Sequence, residues 1–217
     1  MTSASLAERA LAAIEATGVV AILRGDFLGE ADALTDALLE GGVRVVEVPF
    51  HSAATTSLYR RMVVRGGSDL VSGFGTVTTQ DQLSLAIDEG AAFIVAPNTD
   101  PDIVARAVAA GLLVMPGAFT PSEIVAATRA GAQAVKLFPA DVLGERFVRG
   151  VRGPLPDVRL VPTGGVTVDL ARAFRAAGAW AVGVGGPLVG SAGGSVDAAA
   201  VARQARAFVD VMRPRIA

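Results

Sequence analysis

AAFIVAPNTDPDIVARAVAAGLLVMPGAFTPSEIVAATRAGAQAVKLFP, residues 91–139, contains three apolar runs, AAFIVA, LLVM and QAVKLF. Two alanine-rich stretches separate them, PDIVARAVAAG and PSEIVAATRAG, each opening on proline and closing on glycine. The runs show little polar alternation, as expected of strands buried on both faces. Proline in a first turn and glycine after a last turn are helix start and stop signals. The stretch therefore reads strand, helix, strand, helix, strand, with the strands parallel.

The same alternation extends in both directions. Further runs are VVAIL at 19–23, VRVVEV at 43–48, LVSGF at 70–74, RLVP at 159–162 and AVGVG at 181–185, with helix candidates such as EADALTDALLEGG and QDQLSLAIDEG between them. Eight units, starting about every 20 to 27 residues, predict a (β/α)8 TIM barrel in a single domain over 1–217. An extra N-terminal helix at 4–17 is expected to close the bottom of the barrel. A turn within GSAGGSVDAAA, 190–200, leads into a final helix at 196–212. The competing fold, a doubly wound open sheet, usually carries G-x-G-x-x-G after its first strand; here RGDFLGE follows.

The composition narrows the function classes. With 52% hydrophobic and 18% charged residues, the 217-residue chain is not disordered. A net charge of −2, from 19 basic and 21 acidic residues, argues against a nucleic-acid partner. Cysteine is absent, so there is no disulfide, thiolate metal site or cysteine nucleophile. No run of about 18 apolar residues is present to span a membrane. The start, MTSASLAERALAA, lacks the basic end and apolar run of a signal peptide, so a cytoplasmic protein is expected.

In a barrel of this kind chemistry gathers at the C-terminal ends of the strands. Lys136 stands there in AVKLFP and is the chain's one lysine; the other 18 basic residues are arginines. If Val135 and Leu137 face the helices, Lys136 points inward, where desolvation favours the neutral, nucleophilic amine. The alternative is a buried ion pair with Glu47. Glu47, in the apolar strand VRVVEV, is either a proton shuttle or only that counter-ion. Arg24 follows the first strand and suits a carboxylate ligand, or forms a rim salt bridge with Asp26 or Glu47. The glycines in Thr163-Gly164-Gly165 and Gly183-Val184-Gly185-Gly186 free N–H groups for an anion, or merely allow tight turns. His51, the one histidine, is a substrate contact or an ordinary loop residue, and no metal-ligand spacing surrounds it.

Together AILRG, GGVRVVEVPFHS, GFGTV, FIVAPN, MPGAFTPSE, AVKLFPAD, PTGGVT and GVGG resemble the class I aldolase family that cleaves 2-keto-3-deoxy-6-phosphogluconate, its galactonate epimer or 4-hydroxy-2-oxoglutarate. The resemblance implies Lys136 as the Schiff-base lysine and Glu47 as the general acid/base. It places Thr76, Pro97, Phe138 and Thr163 around pyruvate, and Gly164, Gly165, Gly185 and Gly186 around phosphate. It also implies a homotrimer with no metal and no cofactor. Three positions depart from the gluconate-type pattern. His51 stands where an arginine often binds the carboxylate, leaving that role to Arg24. Gly186-Pro187 replaces a serine near the phosphate. Asn98 replaces a glycine, in the manner of the galactonate-type branch. Two other readings stay open: a phosphosugar epimerase or isomerase using Glu47 and Lys136 without a covalent bond, and a non-catalytic sugar-phosphate sensor.

Overall fold

The computed structural model describes residues 5–190 and 196–213. Residues 191–195, within the turn read at 190–200, lie outside the described residues. The chain opens with α1 (Leu6–Thr17), β1 (Val19–Ile22), α2 (Ala31–Glu40), β2 (Val45–Pro49), α3 (Thr55–Gly66) and β3 (Val71–Gly75). It continues through α4 (Gln80–Asp88), β4 (Phe93–Val95), α5 (Pro101–Ala109), β5 (Leu113–Met115) and β6 (Gly117–Ala118). After α6 (Pro121–Arg129) come β7 (Val135–Leu137), α7 (Ala140–Arg152), β8 (Leu160–Pro162) and α8 (Val168–Ala176). The last elements are β9 (Val182–Val184), a short α9 (Gly186–Val189) and α10 (Ala198–Met212). Each of the eight apolar runs contains a strand.

Local chemistry sets the helix ends. Ser5 with Glu8, Thr79 with Gln82 and Thr120 with Glu123 form reciprocal capping boxes on α1, α4 and α6. Pro101 and Pro121 stand in the first turns of α5 and α6, where a missing N–H costs no helical bond. α7 is kinked at Gly144, whose φ of 69° lies in the left-handed region.

All strand pairings are parallel, and they form a six-stranded sheet in the order β5-β4-β3-β2-β1-β9 and a three-stranded sheet β6-β7-β8. The expected eight-stranded ladder is thus interrupted at two seams. At the first, Pro116, which has no N–H, stands between β5 and the two-residue β6, although its carbonyl still accepts from Lys136 N at 2.9 Å. At the second, β8 and β9 meet through one bridge, Thr163 with Gly183, and a bond from Trp180 N to Leu160 O of 3.0 Å.

The sheet curls around an inner core. Val20, Val45, Val71, Val95, Leu113 and Val161 cluster with Ala10 and Ile14 of α1, so that helix packs against the inner residues of the sheet. The intervening residues, among them Ala21, Val46, Phe74, Ile94, Val135 and Leu137, belong to a second cluster beneath the outer helices. Side chains alternate along a strand, so inner positions run on by twos. Glu47 follows Val45, Lys136 follows Ala134, Thr163 follows Val161, and Gly73 and Gly75 follow Val71. The inner row carries the unusual residues.

Candidate active site

Glu47 and Lys136 are only 3% and 5% exposed. They line one small inner cavity with Thr163, Gly183 and the apolar side chains Val20, Val95, Met115 and Val161. The register explains the meeting: Glu47 lies beside Gly73 on β3, while Lys136 lies between Gly117 and Val161. Val135 and Leu137 sit in the outer cluster, as inward pointing of Lys136 requires.

The two charged groups make no salt bridge with each other, and Lys136 Nζ has no hydrogen-bond acceptor among the described residues. The ring of Phe138 lies beside the amine instead, its centroid 4.9 Å from Nζ. Burial in this apolar setting pushes the lysine below its ordinary value; the Glu47 charge opposes that shift, and Arg24 adds to it. Burial likewise pushes Glu47 above the ordinary carboxylate value, against the pull of Lys136 and Arg24. Both shifts favour the neutral forms. A neutral amine is a nucleophile, and a protonated carboxyl is a proton donor.

Arg24 is exposed and forms neither the rim salt bridge with Asp26 nor one with Glu47. It continues the inner row of β1 beyond Ile22, close enough to bear on both buried groups. Its guanidinium is thus available to an anionic ligand at the mouth. His51 lies apart from the pair. It is exposed, and its Nδ1 is 3.1 Å from Pro49 O. A carbonyl only accepts, so this contact is a hydrogen bond only when Nδ1 carries the proton.

Thr76 follows the inner Gly75 with φ 57°, the only non-glycine residue with positive φ among the described residues. For a β-branched residue this is a strained conformation. Thr163 is buried, donates its hydroxyl to Val161 O at 3.1 Å, and is accommodated because Gly183 opposite has no side chain. Pro97, half-buried at the end of β4, presents its carbonyl to the bare face of Gly117.

At the predicted anion turns, Gly164 and Gly165 have φ of 101° and 64°, and their N–H groups have no acceptor among the described residues. Gly185 backs onto β1 near Ile22 O, and Gly186 is exposed. Sequence reading missed Asp141, whose side chain lies across the Gly165 backbone; a Cβ added there would fall 2.7 Å from Asp141 Cγ. Its place as the last residue of AVKLFPAD was the available signal. Sequence reading also gave no role to Gly75, and grouped Gly183 with the anion turn rather than with Thr163, because both depend on which side chain crosses them. No group of three His, Asp or Glu side chains that could hold a metal ion occurs among the described residues. No described helix is long and apolar enough to cross a membrane.

The chain is similar to known proteins over most of its length. A family model described as KDPG and KHG aldolase matches residues 11–203. A probable 2-dehydro-3-deoxy-6-phosphogalactonate aldolase of Rhizobium meliloti (strain 1021) is 35% identical over 187 residues, covering 85% of this chain and 88% of that one. The 2-dehydro-3-deoxy-6-phosphogalactonate aldolase of Escherichia coli (strain K12) is 34% identical over 199 residues, 91% of this chain and 96% of that one. A solved structure described as native KDPGal is 34% identical with a TM-score of 0.83, covering 89% of this chain and 93% of that one.

Proposed function

The chain belongs to the KDPG and KHG aldolase family, and from that premise we propose that it is a class I aldolase using Lys136 and Glu47. It cleaves a 2-keto-3-deoxy-6-phospho sugar acid, of the gluconate or galactonate type, into pyruvate and glyceraldehyde 3-phosphate. The observation that carries the reading is the lone lysine, buried in the inner row beside a buried glutamate and not ion-paired with it.

Lys136 Nζ, whose neutral form burial favours, adds to the C2 keto group; the Glu47 carboxyl gives its proton to the carbinolamine hydroxyl, water leaves, and an iminium ion and the Glu47 carboxylate remain. Glu47 takes the proton of the C4 hydroxyl, the C3–C4 bond breaks into the iminium, and the aldehyde leaves. The remaining enamine takes a proton at C3 from the Glu47 carboxyl, and water releases pyruvate and the free amine. Arg24 holds the substrate carboxylate. Thr76, Pro97, Phe138 and Thr163 border the keto-acid end, and His51 meets the substrate farther out at the mouth. The N–H groups of Gly164, Gly165, Gly185 and Gly186 take the phosphate, supported by the absence of internal acceptors for the first two.

The same reading takes 1–217 as one (β/α)8 domain, with the two sheets as arcs of one barrel and α1 as its floor. It also takes the protein as a cytoplasmic homotrimer. The Thr163–Gly183 bridge supports the barrel, and the exposed Val64, Phe119 and Val142 are suited to subunit contacts. The epimerase and sensor readings are not favoured by the family relationship, nor is 4-hydroxy-2-oxoglutarate as the main substrate. The test is pyruvate release from the gluconate and galactonate phospho acids and from 4-hydroxy-2-oxoglutarate, compared as kcat/KM. A phosphorylated substrate should lead, and release from none of them would overturn the proposal.

A further inference from the structure

We propose that Gly75 is a positioning residue. By leaving the inner face of β3 bare, it lets the Glu47 side chain lean onto that strand, so that carboxylate and amine flank a substrate instead of pairing with each other. This rests on the aldolase reading for its consequence, but not for its geometry. Glu47 lies in register with Gly73, and Gly75 is the next inward position on the same strand. A Cβ built on Gly75 would fall 2.5 Å from Glu47 Cδ and 2.6 Å from Cγ, with Oε1 nearer still. Real side chains do not tolerate that approach, and the atoms in the way are the carboxyl group itself.

The backbone does not explain the glycine. Gly75 sits in a strand with no positive φ, so alanine fits its dihedrals. Glycine inside a strand costs stability and commonly marks the close approach of another group. Here that group is the Glu47 side chain. With alanine at 75 the carboxylate has to leave β3, and the enclosed space it would enter is the one that Lys136 lines. A carboxylate there would pair with the ammonium form and hold the amine protonated.

The test is a cycle of Gly75→Ala, Glu47→Ala and the double variant, read by thermal melting, with kcat and pyruvate trapping added for Gly75→Ala. Gly75→Ala should lower Tm in the native background and leave it nearly unchanged in the Glu47→Ala background. It should also lower kcat by about a hundredfold and move the pH dependence of adduct formation with pyruvate and borohydride to higher pH. A general packing defect would not move that profile. Gly75→Ala combined with Glu47→Asp, whose carboxylate is one methylene shorter, should recover part of the lost kcat. If the single variant fails to fold while the double variant folds, the clash is with Glu47 and the proposal stands. Equal Tm losses in both backgrounds, failure of both to fold, or kcat within threefold of the native enzyme would overturn it. Failure of the native protein to form any pyruvate adduct would instead sink the aldolase reading, leaving the stability cycle to judge the placement alone.

Discussion

Replacing Lys136 with methionine should make the protein more stable while abolishing its chemistry. The lysine is 5% exposed, without an ion pair, and surrounded by Val20, Val95, Met115 and Val161. Methionine keeps most of the side-chain length and replaces a polar end by an apolar one, a gain of roughly 0.8 kcal/mol for each methylene-sized group buried. The desolvation penalty on the amine adds to this and depends on pH. Burial lowers the folded-state value below the ordinary 10.5, while the unfolded lysine keeps that value. Below the folded value both states hold the proton and the penalty is complete. Between the two values the unfolded state binds a proton that the folded state does not. Native stability therefore rises with pH across that window, by at most about 1.4 kcal/mol per pH unit. The advantage of Lys136→Met is accordingly largest at neutral pH and shrinks toward pH 10, leaving only the apolar gain. The comparison is best made in a Glu47→Gln background, which removes the carboxylate's own titration. Melting curves at pH 7, 8, 9 and 10 should show a gap of more than about 1 kcal/mol at pH 7, or roughly 2–4 °C in Tm. A gap independent of pH, or a methionine variant less stable at pH 7, would refute the burial argument.

Other perturbations separate the remaining roles. Glu47→Gln should retain pyruvate trapping at Lys136 yet lower kcat by about 10²- to 10⁴-fold, as loss of a positioned acid and base does; single-turnover and steady-state assays distinguish the steps. Arg24→Gln removes a charged contact worth about 1.5–3 kcal/mol and should raise KM for the keto acid by roughly ten- to a hundredfold, with little change in the pyruvate kcat; substrate titrations check it. Thr76→Gly relieves a left-handed conformation costing about 1–2 kcal/mol, offset by about 0.5–1 kcal/mol of glycine entropy. Its Tm should stay level or rise while kcat/KM falls, and a loss of both would show that the strain is not tied to function.

Much of this was legible in the sequence, for identifiable reasons. Buried parallel strands leave continuous apolar runs, so all eight were visible, and proline and glycine marked the ends of helices such as α5 and α6. Lys136 and Glu47 stood out because each breaks the apolar rule of its own strand, which a sequence does mainly where function demands it. Less was legible where the cause is three-dimensional. β6 has two residues, too few to leave a pattern, and Pro116, which lacks an N–H, stands between it and β5. The φ of Thr76 has no signature in residue type, since threonine normally avoids that region. Nothing in residue type shows that Glu47 lies across Gly75 or Thr163 across Gly183. Asp141 likewise became a neighbour of the Gly165 turn only through folding.

The most direct test of the Schiff-base claim exploits the single lysine. The protein is incubated with pyruvate and borohydride, weighed by mass spectrometry, and digested to map the modified peptide. One reduced pyruvate per chain on Lys136, absent from Lys136→Arg, is the expected result. An unmodified chain, or an adduct confined to the N-terminal amine while the native enzyme still turns over its substrate, would contradict the mechanism.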